Sequence, residues 1–365
     1  MKRTFALIIL LSLVLSMVCC QSDPYPAVAS SFEEREVVMT FEADGDVYEI
    51  KYELYRALFV ANKVSVDGGD DAVWSSDNKA EYILKINEII AKKAAEIYAV
   101  FHHARKIGIN PYSSDMDSEV KEWIRIGVEG GYGISGFGGD YDAYLDALKQ
   151  SGINYSVQDL LLRYSLTLDK INVYYHGKED EALGRLPAEY KLNDELVREF
   201  YFSDESARIL HAYMQDGVSE DTAGKMESIR LGMINAEGAV NVALYIINHT
   251  SMTPTDLIKD KMVSGVMIGK NSLKDIYSEY VNQAFSISEG EVSSVIKVND
   301  GEVGYYVIYK ANKTEEHFDR CYDDVKTAYL DNLIGSTLNK IEENLVSTIK
   351  YESGYNKIDH SKIGK

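Results

Sequence analysis

The chain has 365 residues, and its 58 acidic residues outnumber 38 basic ones to give a formal net charge of −20 at pH 7. The acidic excess is spread along the length, without the basic stripe that phosphate binding needs, which argues against nucleic acid as a partner and against adhesion to anionic lipid by charge. With 45% hydrophobic and 11% aromatic residues the composition is that of a folded chain, long enough for two or three domains with a substantial core.

Lys2 and Arg3 precede an apolar run from Phe5 to Val18 that ends at Cys19-Cys20. That is a charged region plus a hydrophobic stretch of signal-peptide length, short for a membrane span. A cysteine directly after it resembles a bacterial lipoprotein signal, although Met17-Val18-Cys19 departs from the usual Leu-Ala-Gly type of lipobox. The expectation is a signal peptide over 1–20 with Cys20 lipidated, Cys19 being the alternative and a plain cleaved signal the bland reading. Residues 21–37 are polar and contain Pro24 and Pro26, which suits a tether. Apart from the pair at 19 and 20 there is only Cys321, in the charged stretch HFDRCYDD, so no intrachain disulfide framework is expected and Cys321 reads as an incidental helix position.

Val38 to Leu54 reads as strand around an Asp-Gly turn, leading into a helix over Tyr52–Lys63. Ser76 or Asp77 caps the next helix, in which Ile83, Ile86, Ile90, Ile97 and Phe101 recur at helical intervals up to Gly108. Helices follow over Ser118–Val128 and Tyr141–Gln150, separated by the glycine-rich EGGYGISGFGGDYD, and then over INYSVQDLLLRYSLTLDKINVYY. Residues 176–191 are loop-like, and NDELVREFYF (193–202) is a short helix. From Ala207 the pattern changes: ARILHAYM is strand, 220–247 holds two helices, 248–265 is loop, Val266–Gly269 is a short strand and Leu273–Phe285 a helix. A turn at Ser288-Glu289-Gly290, a strand from Val292, a turn at Asn299-Asp300-Gly301 and a strand over Val303–Tyr309 come next. Phe318 to Ile349 reads as one long acidic helix with Val325, Tyr329, Leu333, Leu338, Ile341, Leu345 and Ile349 on its apolar side.

The stretch AFSISEGEVSSVIKVNDGEVGYYVIYK, Ala284 to Lys310, is similar to the closing segment of parvulin-type peptidyl-prolyl isomerase domains, with Gly290-Glu291-Val292-Ser293 and Gly304-Tyr305-Tyr306-Val307-Ile308 at the motif positions. YEIKYELYRAL (48–58) and ARKIGI (104–109) resemble the opening helix and long-helix exit of PrsA- and SurA-type chaperone domains. The resemblance spans roughly residues 45–350, strongest in the tail. It implies an α+β fold: a mainly helical chaperone domain over 38–204, an inserted parvulin-like domain over 205–312 with a small antiparallel sheet, and a C-terminal segment over 313–365 whose long helix completes the chaperone domain.

Prolyl isomerisation crosses a barrier of about 18–20 kcal/mol around a partial double bond. Parvulins lower it with two facing histidines, a nearby Cys or Asp and an apolar shelf for the proline ring. Matched by position, the resemblance puts His211 at the first histidine, Tyr306 in place of the second, Thr250 near the Cys/Asp position, and Ile276 and Tyr280 on the shelf. The polar network is thereby depleted. The implied function is a lipid-anchored, extracytoplasmic folding factor of a bacterium that buries apolar segments of unfolded, newly exported polypeptides in a cradle between its lobes, its isomerase site degenerate. A competent isomerase using His211 with Tyr306 is the first alternative, and a small-solute-binding lipoprotein the second. No cofactor or metal is implied, no nucleic acid is expected, membrane contact is through the N-terminal lipid, and a homodimer is left open.

Other motifs read more plainly. Gly131-Tyr132-Gly133-Ile134-Ser135-Gly136 matches GxGxxG, but a predicted helix precedes it and acidic neighbours flank it, so a flexible helix–helix connection is expected rather than a nucleotide loop. His102 and His103 point about 100° apart on a helix and read as a solvated edge. His249, His317 and His360 read as surface residues, and Asp67-Gly-Gly-Asp-Asp71 as a capping turn rather than a calcium loop. The 27 tyrosines suit varied peptide contact or polar-edged cores.

Overall fold

A computed structural model describes residues 24–177, 192–217, 219–249, 264–272, 278–300 and 302–364. The contacts divide the chain into two units: residues up to Asp169 together with Ile341–Lys365, and Lys170–Lys340. The first unit is thus made of two chain segments between which the second is inserted.

In the first unit β1 (Val37–Ala43) and β2 (Asp46–Lys51) form an antiparallel hairpin in which Phe41 faces Tyr48 and Ala43 faces Asp46. The two linking residues, Asp44 and Gly45, both have positive φ, 51° and 84°, as a turn whose twist matches the strands requires. A helix α1 (Tyr52–Asp67) follows directly and stops at Gly68, whose left-handed backbone lets its N–H donate to the Val64 carbonyl. Asp70 then caps a 3-10 turn, so the Asp67–Asp71 run is a capping element as its composition suggests. The long helix α2 (Lys79–Lys106) buries Ile86, Ile90, Ile97 and Phe101 against Met39, Phe41, Ile50, Tyr55 and Phe59. Helices α3 (Ser114–Glu129) and α4 (Tyr141–Gln150), capped by Ser113 and Asp140, build a second cluster from Met116, Val120, Ile124, Val128 and Tyr144, joined by Tyr155 at the start of α5 (Tyr155–His176).

The second unit contains α6 (Asp194–Phe202), β3 (Ser206–Gln215), α7 (Thr222–Asn235), α8 (Gly238–His249), β4 (Val266–Gly269), α9 (Ser278–Ser286), β5 (Ile296–Asp300), β6 (Glu302–Ala311) and α10 (Glu315–Arg320). Among the described residues its strands pair antiparallel in the order β4-β3-β6-β5. The period of two along β3 and β6 sends Leu210, Ala212, Met214, Val307 and Tyr309 to a face covered by α7 and α8, and Ile209 and Ile308 to the other, under Tyr280 and Ala284 of α9. Small antiparallel sheets with helices packed against them make this an α+β fold.

The structure departs from the sequence reading in three places. The strand expected from Val292 starts at Ile296, and Val292 makes only an isolated bridge to Tyr309. Between them the Ser293 hydroxyl, 3.0 Å from the Ile308 N–H, accepts its hydrogen bond in place of a backbone carbonyl. The long C-terminal helix is broken at Cys321: α10 ends there and α11 (Tyr322–Ser347) begins, with Cys321, Phe318 and His317 all buried. After α11 the chain forms β7 (Lys350–Tyr351), which adds to the free edge of β1 to give the order β2-β1-β7, and continues into two 3-10 turns.

The histidines read as solvated are mostly inside. His102 and His103 are 4% and 7% exposed, His317 1% and His360 8%. Each of three is held by a phenol: Tyr48 Oη lies 2.8 Å from His102 Nδ1, Tyr55 Oη 2.8 Å from His360 Nε2, and Tyr201 Oη 2.9 Å from His317 Nδ1. Because Tyr55 donates its own proton to Asn87 Oδ1 at 2.7 Å, it accepts from His360 Nε2–H. His249 alone stays exposed, stacked on Tyr245.

Candidate functional site

The sheet of the second unit carries an aromatic face around His211. On the ladder His211 stands opposite Ile308 and Tyr213 opposite Tyr306, so His211 and Tyr306 are diagonal neighbours on one face. Their rings lie edge to face with centroids 5.6 Å apart, and Tyr213 sits 4.7 Å from Tyr306. Helix α9 brings Tyr280 over the same place: its hydroxyl is 2.8 Å from His211 Nδ1, and its ring is 5.6 Å from His211 and 5.2 Å from Tyr306. Three of the residues singled out in the sequence, His211, Tyr280 and Tyr306, therefore converge. Thr250, Ile276, Cys20 and Cys19 lie outside the described residues.

Crowding by these rings desolvates His211 and pushes its pKa down to about 4, so it is neutral at pH 7. The Tyr280 hydroxyl and His211 Nδ1 share that hydrogen bond, whose direction follows the imidazole tautomer. The cluster is an uncharged patch of one imidazole and three phenol rings. It offers apolar faces for a proline or aromatic side chain, together with a few hydrogen-bonding groups, and none of its four residues is a second imidazole. Tyr213 escaped the sequence reading, though the alternation His211-x-Tyr213 on a strand would have placed it beside His211.

Elsewhere, a groove of about 440 Å³ in the first unit runs between Asn87 and Ala91 of α2 and Val346, Ile349 and Tyr351 near the C-terminus, with Lys92 and Glu342 on its rim. Burial raises the Glu342 pKa. It was invisible in the sequence because β7 was not foreseen. The glycine-rich loop follows helix α3 rather than a strand, unlike a nucleotide loop. Among the described residues no group of three or more His, Cys, Asp or Glu side chains is placed to hold a metal ion, and no helix is long and apolar enough to cross a membrane.

No protein-family model and no curated protein matches the chain. Among solved structures it is similar to foldase protein PrsA from Streptococcus pneumoniae, at 17% identity over 88% of this chain and 99% of that one, with a TM-score of 0.31. PrsA from Bacillus subtilis matches at 15% identity over 86% and 93%, with a TM-score of 0.24. Peptidylprolyl isomerase (PrsA) from Bacillus anthracis matches at 15% over 69% and 94%, also with a TM-score of 0.24. Identities and TM-scores this low establish neither activity nor site.

Proposed function

We propose that the chain is an extracytoplasmic, membrane-anchored folding factor that binds unfolded exported polypeptides, built as a helical chaperone domain (38–204 with 313–365) carrying a degenerate parvulin-like domain (205–312). The anchor is a lipid on Cys20, with Cys19 the alternative, after removal of a signal peptide. The observation that carries this reading is the convergence of His211, Tyr280 and Tyr306 on one face of an antiparallel sheet, at positions matched to an isomerase pocket but with a phenol where the second imidazole belongs. A neutral imidazole fixed by Tyr280 and flanked by aromatic rings presents an adhesive surface for a proline or aromatic residue. Isomerisation needs more, namely groups that favour the twisted amide over the planar one.

The test is a protease-coupled isomerisation assay on X-Pro peptides with the mature chain and a His211→Ala variant, run beside suppression of aggregation of an unfolded client. No turnover above background together with suppressed aggregation is the expected result. Turnover abolished by His211→Ala would make the chain a competent isomerase, and neither activity would sink both readings. A small-solute-binding lipoprotein would call for parallel strands, and every strand pairing among the described residues is antiparallel.

A further inference from the structure

The loop between α3 and α4 is a built feature rather than a slack connection. Gly131 and Ile134 exchange both backbone hydrogen bonds, and the N–H groups of Phe137 and Gly139 both donate to the Val128 carbonyl. Gly136 packs so closely that a Cβ there would stand 2.2 Å from the Gly130 nitrogen. The loop holds Tyr132 at φ 47°, a left-handed conformation that a bulky residue adopts only under constraint. What the constraint achieves is exposure. Tyr132 is 86% exposed, Ile134 47%, Phe137 42%, and Trp123 of α3, whose ring lies 6.4 Å from Tyr132, 39%. Residues 130–139 contain no charged side chain, in a chain that is 26% charged.

The N-terminal end of the described chain is fixed at the base of this loop. Tyr25 donates to Glu129 Oε1 at 2.8 Å, its ring lies 5.4 Å from Tyr141, and the Tyr141 hydroxyl donates to the Pro26 carbonyl at 2.7 Å. Four peptide steps separate Cys20 from Pro24, a reach of at most about 14 Å when fully extended. An anchor at Cys20 would therefore keep the loop close to the bilayer surface. Tyr and Trp are the side chains that settle at such an interface, an apolar ring with a polar edge.

We propose that the Tyr132 loop, with Trp123, is a bilayer-docking element that inserts into the interface of an uncharged lipid surface beside the anchor. The placement of the bilayer rests on the proposed lipidation; the exposed loop and the pinned N-terminal segment do not. The membrane is favoured over a client chain because the patch lies where the tether emerges, and uncharged lipid is favoured because the chain carries a net charge of −20.

The test supplies the tether independently. The chain from Gln21, bearing an N-terminal hexahistidine tag, is held on phosphatidylcholine vesicles through a nickel-chelating lipid, and tryptophan emission is compared between ordinary and brominated phosphatidylcholine. Trp74 is buried and hydrogen-bonded to Asp67, so Trp123 is the reporter and Trp123→Phe the control. The expected result is a blue shift and quenching by brominated lipid, lost in Trp123→Phe and in a Tyr132→Asn/Ile134→Asn double variant, asparagine being tolerant of the left-handed backbone. Emission unchanged on vesicles, quenching that survives the double variant, or a blue shift that follows protein concentration or added unfolded client instead of lipid would each overturn the proposal. Metabolic labelling of Cys20 with radioactive palmitate tests the anchor separately. A labelled chain whose Trp123 is not quenched defeats the docking alone, and an unlabelled one with quenching defeats the anchor alone.

Discussion

Acidification should unfold this protein at mildly acid pH, and four histidines set the scale. Burial lowers the pKa of His103, His211, His317 and His360 from the ordinary 6.5 to about 4; Arg208 adds to the effect on His317, and the neighbouring Asp359 opposes it at His360. The folded state keeps these rings neutral, while the unfolded chain protonates them below pH 6.5. Their stabilising contribution is thus whole above pH 6.5, falls as the pH drops, and is gone below about 4. A difference of two and a half units corresponds to about 3 kcal/mol per histidine. His103 and His360 belong to the first unit, His211 and His317 to the second, so each unit stands to lose roughly 6 kcal/mol, within the 5–15 kcal/mol that holds a typical domain together. Between pH 6 and 4.5 the slope is about 1 kcal/mol per pH unit for each histidine. Urea unfolding followed by near-ultraviolet circular dichroism, at half-unit steps from pH 7.5 to 4.5, reads this slope. His317→Gln and His360→Gln should each flatten it by about one proton whatever they do to stability at pH 7.5. Stability constant between pH 7 and 5, or a slope unchanged in both variants, would refute the reasoning.

Tyr280→Phe removes the hydrogen-bond partner of His211 Nδ1 and should cost about 1 kcal/mol in denaturant unfolding, with the imidazole nitrogen shifts of His211 changing by NMR. Gly136→Ala puts a methyl group against the Gly130 backbone, whereas Gly138→Ala, also at positive φ, meets nothing within 4 Å; thermal melts should show Gly136→Ala the more damaging by about 1 kcal/mol or more. Deleting Tyr355–Lys365 strips His360 and Tyr355 from Tyr55 and Asn87 and uncovers the site of buried Ile363; a loss of roughly 3 kcal/mol or more is expected, visible as faster proteolysis of the first unit.

Local chemistry explains what the sequence disclosed. The Asp44-Gly45 turn, the helix from Tyr141 to Gln150 and the strand from Val266 to Gly269 are specified by residues within a few positions of one another, and they stand where composition and period put them. The buried histidines depend instead on partners far along the chain: His360 meets Tyr55 across 305 positions and His317 meets Tyr201 across 116. No periodicity marks such pairings, because a histidine on a helix face looks the same whether water or a phenol waits opposite. The same holds for β7, two residues that become strand only because β1 offers an unpaired edge. In the candidate site, the convergence of His211, Tyr280 and Tyr306 was legible through a resemblance, and Tyr213 only through the ladder.

The histidine–tyrosine hydrogen bond bears directly on how that site is read. Among the described residues it joins Tyr48 with His102, Tyr55 with His360, Tyr201 with His317, and Tyr280 with His211. In the pairs of His211, His317 and His360, whose imidazoles burial keeps neutral, the ring and the phenol each offer one donor and at least one acceptor and bond without burying a charge, whereas His102 also sets its Nε2 3.2 Å from Asp44 Oδ2. Three of the pairs lie in closed cores, with His102, His317 and His360 all under a tenth exposed. There the arrangement is a way of packing polar rings. His211 uses the same device but keeps partial solvent access on the aromatic face. Three structural precedents in one chain weigh toward a structural hydrogen bond at His211 as well, and Tyr306 beside it extends an aromatic surface rather than restoring a second imidazole. What sets His211 apart from the other three is that it, Tyr213 and Tyr306 are half-buried rather than enclosed, although Tyr280 is buried, and partial exposure is a property a binding surface needs whether or not any bond is turned.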